Sequence, residues 1–349
     1  MWAVIPASID EVSIDWLTDV TGFELDSAHV EQIGAGIGVS SALYRVHLRG
    51  PVCPGSVIVK LPALDPAAVF TSTMLRMYIR EVRFFNELAS QSPVRVPASL
   101  HGAVDEETSR FVLVMEDVGH MRIVDQVVGM AATDAERAVD ELAAWHATWW
   151  RQADQLAEAG VTVSLGDPVY PAVLPGVFEE GWRKVTAALD VPDSILDVGP
   201  RFGAAIPGLL ADLCRRPTTV IHGDYRADNI LFAPDGSVVL LDFQLIGTGS
   251  GAYDLAYFVT QSLTTEVAAE HERTLFDRWT MGLRDGGVPV EDLRRMWEDY
   301  RTAALFCLVY PVVASRGMDL TDPRQRQLVE CMNDRFARAV DELDLAELL

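Results

Sequence analysis

The stretch Val220-Ile221-His222-Gly223-Asp224-Tyr225-Arg226-Ala227-Asp228-Asn229-Ile230-Leu231-Phe232 decides how this 349-residue chain is read. Val239-Leu240-Leu241-Asp242-Phe243-Gln244 follows it, starting ten residues after Asn229. The apolar runs at 218–221, 230–232 and 238–241 read as short strands, with a Pro234-Asp235-Gly236 turn before the last. Acids therefore lie directly between apolar strands. Burying a carboxylate is costly unless it is paired, hydrogen-bonded or bound to a metal. Asp224, Asn229 and Asp242 are all oxygen donors, and Mg²⁺ takes a few such oxygens together with substrate phosphates. Any one of these acids could simply cap a turn. All three at this spacing point to a catalytic template.

Working outward, the next feature is Lys60. The chain has 28 basic residues, and only Lys60 and Lys184 are lysines. Lys60 ends the β-rich run Val57-Ile58-Val59, where a flexible ammonium can meet phosphate oxygens. An edge-strand lysine facing solvent is the plainer reading. A buried lysine needs an anionic partner, and Glu81 and Glu87 are the candidates. Glu81 lies beside an apolar stripe and is preferred; at a six-residue separation Glu87 falls on another helix face. Upstream stands Gly34-Ala35-Gly36-Ile37-Gly38-Val39-Ser40-Ser41. Its glycines would let backbone amides approach a phosphate and its serines add donors, although glycine clusters are also ordinary turns. A strand follows it, so it is not the dinucleotide fingerprint of a strand–helix unit.

Composition limits the alternatives. Hydrophobic residues make up 49% and charged residues 23%, which suits a folded core rather than disorder. The net charge of −23 disfavours nucleic acid and anionic membrane surfaces as partners. Cys53, Cys214, Cys307 and Cys331 show no zinc-ligand spacing and read as free thiols of a cytoplasmic protein. Acids at 10, 11 and 15 with no basic start do not make a signal peptide. The apolar stretch at 303–314 is too short for a membrane span and contains Pro311, so a buried helix is expected.

The element order reads strand, strand, strand, helix, strand, strand. Residues 42–48 and 56–61 form one hairpin, and 98–104 and 110–115 another. Residues 70–89 lack Gly and Pro and carry Leu75, Ile79, Val82, Phe85 and Leu88 at helical spacing. After Gly119 helices dominate. Residues 133–151 read as a helix capped by Thr133 with Glu136 three residues on; 160–175 reads as loop, and the chain from 253 is mostly helical. The expected fold is α+β and bilobal, with a small β-rich lobe at 1–117 and a large, mainly helical lobe at 118–349.

These residues give the chain a family likeness. It resembles the aminoglycoside phosphotransferase and choline-kinase-like superfamily, which shares the protein-kinase-like fold, and is nearest the ecdysteroid-kinase-like (CHK kinase-like) group. The similarity spans roughly residues 33–258 and is most specific at 221–257. The resemblance implies an ATP- and Mg²⁺-dependent kinase acting on an alcohol. Asp224 would be the catalytic aspartate, and Asn229 and Asp242 would hold the metal. Lys60 would contact the α- and β-phosphates, oriented by Glu81. Gly34, Gly36, Gly38, Ser40 and Ser41 would cover the phosphates, and Glu116 and Val118 would meet adenine. Asp254 and His222 would brace the catalytic loop, with His146 in a packing role.

The chain departs from the protein-kinase pattern in three ways. The loop reads Gly-x-Gly-x-Gly, Gln244 replaces the glycine after Asp242-Phe243, and only eleven residues separate Asp242 from Asp254. That leaves little room for a peptide platform and favours a small-molecule acceptor. Trp182, Trp297, Tyr300, Phe306 and Tyr310 would give its pocket aromatic walls, and Glu179, Glu180 and Asp299 could attract an amine. The acceptor's identity and the oligomeric state stay open. A nucleotide-binding pseudokinase acting through a protein partner is the alternative, although it would usually lack one of Lys60, Asp224, Asn229 and Asp242. A metal hydrolase built on His222, Asp224, Asp228 and Asp242 is weaker, because no second histidine joins it at ligand spacing.

Overall fold

The computed structural model describes residues 4–34, 40–215 and 217–349. The expected positions Gly36 and Gly38 lie outside the described residues. The chain forms two compact units: Met1–Arg122 with Val239–Leu245, and Ile123–Val238 with Ile246–Leu349. The sequence suggested a single cut at 117/118, whereas both units are discontinuous. The turn that carries Asp242 belongs with the first.

The first unit is built on an antiparallel sheet of β1 (Ser27–Ile33), β2 (Ser41–Arg49), β3 (Ser56–Pro62), β4 (Ser99–Val104) and β5 (Phe111–Glu116), in the order β1-β2-β3-β5-β4. Both expected hairpins are present, at nearly the expected residues. In β3, Val57, Val59 and Leu61 join one apolar core with Val46 of β2 and Val112 and Val114 of β5. Side chains alternate along a strand, so Lys60 falls on the opposite face.

Helix α1 spans Ile14–Thr21, ahead of the sheet. The single helix expected at 70–89 is in three pieces: α2 (Pro66–Met74), capped by Asp65, α3 (Met77–Arg83), and a π turn at Phe84–Leu88 that continues it. The break falls at Arg76, whose φ is +55°. The apolar spacing continues across it, so periodicity alone does not reveal it. Buried Arg80 donates from Nε to the Leu75 carbonyl at 3.1 Å and satisfies the broken end. The π turn shifts the register by a residue, and Phe84 and Phe85 both become buried.

The second unit is mainly helical. Helix α4 (Ala132–Thr148) starts one residue before Thr133, and no side chain caps it. Glu136 instead lies 3.5 Å from Arg278. The expected loop at 160–175 is also corrected: a helix at Val169–Ala188 begins inside it. Pro171 stands in its first turn, where the missing N–H has no intrahelical role, and only Pro175 is interior. The apolar stretch at 303–314 divides between helices Met296–Phe306 and Val309–Ala314. Among the described residues no helix is long and apolar enough to cross a membrane.

Asp117, just past β5, fastens the sheet. It accepts from Arg45 Nε of β2 and Ser56 Oγ of β3, each at 2.6 Å. Burial opposes its charge, but these donors and the Gly119 amide outweigh it and hold its pKa down to about 2. A depressed folded-state pKa stabilises the fold above the unfolded value, and that gain is lost as pH falls through the folded one. Asp117→Asn should therefore lower stability at pH 7 by about 1–2 kcal/mol, allowing for partial exposure. Denaturant melts across pH should show the gap to wild type closing between about pH 4 and about pH 2. A gap independent of pH would show that the carboxylate's charge is not the source.

Candidate functional site

The candidate residues form two groups, one in each unit. In the first unit the Lys60 ammonium is buried between two carboxylates. It donates to Glu81 Oε1 at 2.8 Å and to Asp242 Oδ1 at 3.1 Å. Burial works against the Lys60 charge, and Asp242 and Glu81 together overcome it, so its pKa lies above the ordinary lysine value. The same burial pushes the Glu81 carboxyl up to about 7 despite Lys60, and the nearby Asp242 adds to the rise. Glu81 Oε2 is buried with no hydrogen-bond partner. The choice of Glu81 over Glu87 thus corresponds to the observed pair.

Asp242 has a φ of +62°, a conformation that aspartate tolerates better than most residues. Such local strain is commonly kept at functional turns. Next to it, Phe243 stacks on Phe84 at 3.7 Å between ring centroids. Gln244, the departure noted in the sequence, is buried and bonds both serines. Ser40 Oγ donates to its Oε1 at 2.5 Å, and its Nε2 donates to Ser41 Oγ at 2.6 Å. Sequence reasoning missed this role because the two partners are 204 and 203 residues away. Gly34 keeps a left-handed φ of +65°. Glu116 accepts from Arg95 at 2.9 Å and from the Ala98 amide at 3.2 Å, and the buried Val118 follows Asp117.

The second unit holds Asp224. Its loop is braced from beneath by Asp254, which is fully buried at the start of the helix Ala252–Ser262. Asp254 accepts from the His222 amide at 2.6 Å, the Gly223 amide at 2.9 Å and the His146 ring at 3.1 Å. Trp279 Nε1 donates to His146 Nδ1 at 3.0 Å, so His146 Nε2 carries the proton given to Asp254. Three donors compensate the buried carboxylate. Gly223 turns the chain at φ +85°.

The Asp224 carboxylate is itself well supplied with donors. Asn229 Nδ2 reaches Oδ2 at 2.8 Å and the Asp224 carbonyl at 2.9 Å. Tyr257 Oη donates to Oδ1 at 2.7 Å, and Arg226 Nε lies 3.2 Å from the same oxygen. Arg226 also bonds Asp228 and Gln126, and its pKa is raised by Asp224 and its other neighbours even though burial opposes the charge. Arg226 and Tyr257 were not picked out from sequence. Their signals were an arginine between two aspartates and a tyrosine three residues after Asp254, on one helix face.

Oxygen donors suited to Mg²⁺ are present in both groups. Asn229 commits its amide nitrogen to Asp224, which leaves Oδ1, and Asp242 offers a carboxylate. Among the described residues no cluster of three His, Cys, Asp or Glu could hold a metal.

A model of the phosphotransferase enzyme family (APH) matches residues 31–289, well over half of the chain. The chain belongs to that family. Membership makes it an enzyme, a phosphotransferase with an alcohol group as acceptor. Among solved structures, a Ralstonia eutropha JMP134 protein, provisionally described as an aminoglycoside phosphotransferase, superposes with a TM-score of 0.60 at 17% identity, covering 96% of this chain and 97% of that one. The GDP complex of aminoglycoside 2'-phosphotransferase-IIIa gives 0.58 at 14%, covering 92% and 96%. Plasmodium vivax ethanolamine kinase gives 0.54 at 13%, covering 88% and 81%. At such identities these likenesses establish the fold, the bilobal kinase-like one expected. No curated protein matches the chain.

Of the aromatic residues suggested for the family's acceptor pocket, Tyr310 and Phe306 join the cluster around Tyr253 and Tyr257. Trp297 stacks on Tyr300, whose hydroxyl is bonded to Glu272. Trp182 fills the space over Gly199, and Glu180 pairs with Arg316 at 2.6 Å. Burial pushes the Asp299 carboxyl up to about 6.

Asp254→Asn would set an amide against the donors that hold the loop. We expect a loss of about 2–4 kcal/mol, read as a lower denaturation midpoint. An unchanged midpoint would contradict the bracing role.

Proposed function

We propose that the chain transfers the γ-phosphoryl group of ATP to a hydroxyl of a small-molecule alcohol, with Mg²⁺ as cofactor. The reading is carried by the buried Lys60, held between Glu81 and Asp242, in a member of a phosphotransferase family. A lysine kept charged and fixed inside a protein is suited to phosphate oxygens. Bound nucleotides in relatives support the nucleotide half of the proposal: aminoglycoside 2'-phosphotransferase-IIIa with GDP, and amicoumacin kinase with AMP-PNP and Ca²⁺. The eleven residues between Asp242 and Asp254 support a small acceptor over a peptide. Four free cysteines suit a reducing compartment such as the cytoplasm.

Asp224 would orient the acceptor hydroxyl and take its proton as the new P–O bond forms. Lys60 would stabilise charge on the α- and β-phosphates, with Glu81 fixing its direction. Asn229 and Asp242 would hold Mg²⁺, which when bound neutralises phosphate charge. Ser40, Ser41 and the glycine segment would close over the phosphates, and Gln244 would set the position of both serines. Glu116 and Val118 would present backbone to adenine.

Two variants test this. Asp224→Ala should lower kcat by about 10³-fold or more while nucleotide affinity changes little. Asp242→Asn should abolish Mg²⁺-dependent ATP binding in a calorimetric titration. Full turnover in the first, or unaltered affinity in the second, would overturn the assignment.

A further inference from the structure

Asp224 already holds a hydroxyl. Tyr257 donates to its Oδ1 at 2.7 Å, the same O–H to carboxylate bond that an alcohol acceptor must make before giving up its proton. The other donors differ in kind. Arg226 is tied down by Asp228 and Gln126, and Asn229 also bonds the Asp224 backbone. Both have work that ties them to the loop. Three donors reach Asp224: Tyr257 on Oδ1, Asn229 on Oδ2, and one Arg226 N–H shared between Oδ1 at 3.2 Å and Oδ2 at 3.4 Å. Tyr257 and the shared Arg226 N–H take up both lone pairs of Oδ1, so a hydroxyl that bonds this oxygen must displace a donor. The phenol is the one it can replace like for like.

The surroundings of Tyr257 fit this exchange. Its ring lies on Tyr310 at 3.8 Å between centroids and 11° between planes, with Tyr253 at 6.4 Å. The Tyr253 and Tyr310 hydroxyls bond each other. Burial holds all three phenols well above their ordinary pKa, so Tyr257 stays a proton donor. Asp224 remains partly open, with 17% of its side chain exposed. Water could therefore compete for it.

We propose that the Tyr257 hydroxyl occupies the acceptor's place on Asp224 and bars water from it until an alcohol displaces the phenol. The proposal rests on the reading of Asp224 as the base. Without the phenol, water bonded to Asp224 would give it a proton and attack the γ-phosphorus of ATP. The bond to the ADP oxygen would break, yielding ADP and inorganic phosphate, with the proton passing to solvent.

Tyr257→Phe removes one oxygen and keeps the ring stack. The readout is ADP release from MgATP with no acceptor present. We expect it to rise about tenfold or more in Tyr257→Phe and to fall to background in Tyr257→Phe/Asp224→Asn, with MgATP affinity unchanged. A merely structural role would not raise water-dependent turnover. Release at or below the wild-type level, in a variant that binds MgATP and melts within a few degrees of wild type, would overturn the proposal alone. Absence of MgATP binding in the wild type would overturn the phosphotransfer reading and this proposal together. Should Tyr257→Phe not fold, Tyr257→Leu also removes the hydroxyl and carries the same readout: acceptor-free ADP release above the wild-type level is expected, and release at or below it would overturn the proposal.

Discussion

One ammonium shared by two carboxylates governs the first unit. Lys60 comes from β3, Glu81 from α3 and Asp242 from a turn 182 residues further along. Removing Lys60 leaves the buried Glu81 carboxylate without its cation, which costs about 3–5 kcal/mol. That constraint explains features otherwise hard to place. The helix breaks at Arg76 and restarts, so that Glu81 lies on α3 facing the ammonium. Phe243 stacks on Phe84 and anchors the Asp242 turn. The left-handed Asp242 is followed by buried Phe243 and Gln244, whose ring stack and hydrogen bonds hold the turn.

The second unit answers a similar demand by another route. Asp254 is as buried as Glu81, but it is matched by backbone amides and a neutral imidazole rather than by a cation. The difference follows from what each carboxylate supports. Lys60 is held charged, and its partners are ionic. The Asp224 loop must keep a shape, and hydrogen bonds with fixed directions do that well. Asp224 is left as the more open carboxylate of this unit's pair.

Much of this was legible in the sequence, for identifiable reasons. The strands are legible from β-branched runs and flanking turns, and the Asp224 loop from acids lying between apolar runs. Glu81 was separable from Glu87 because helical geometry puts them on different faces. What escaped depended on contacts between distant residues. In the sequence Gln244 reads only as a missing glycine, because its partners Ser40 and Ser41 lie far away along the chain. The break at Arg76 was masked by apolar spacing that runs through it. The helix at Val169–Ala188 was hidden by prolines, of which only Pro175 is interior. Thr133 offered a plausible cap one residue too late.

The most direct test of the central claim is Mg²⁺-dependent ADP release across a panel of alcohols: aminoglycosides, macrolides, sterols, choline-like amines and sugars. The account predicts that one class stimulates release and is recovered as its phosphate ester, and that Asp224→Asn loses both. ATP bound tightly, with no stimulation by any alcohol and no phosphorylated product, would contradict it and favour a nucleotide-binding protein that acts through a partner.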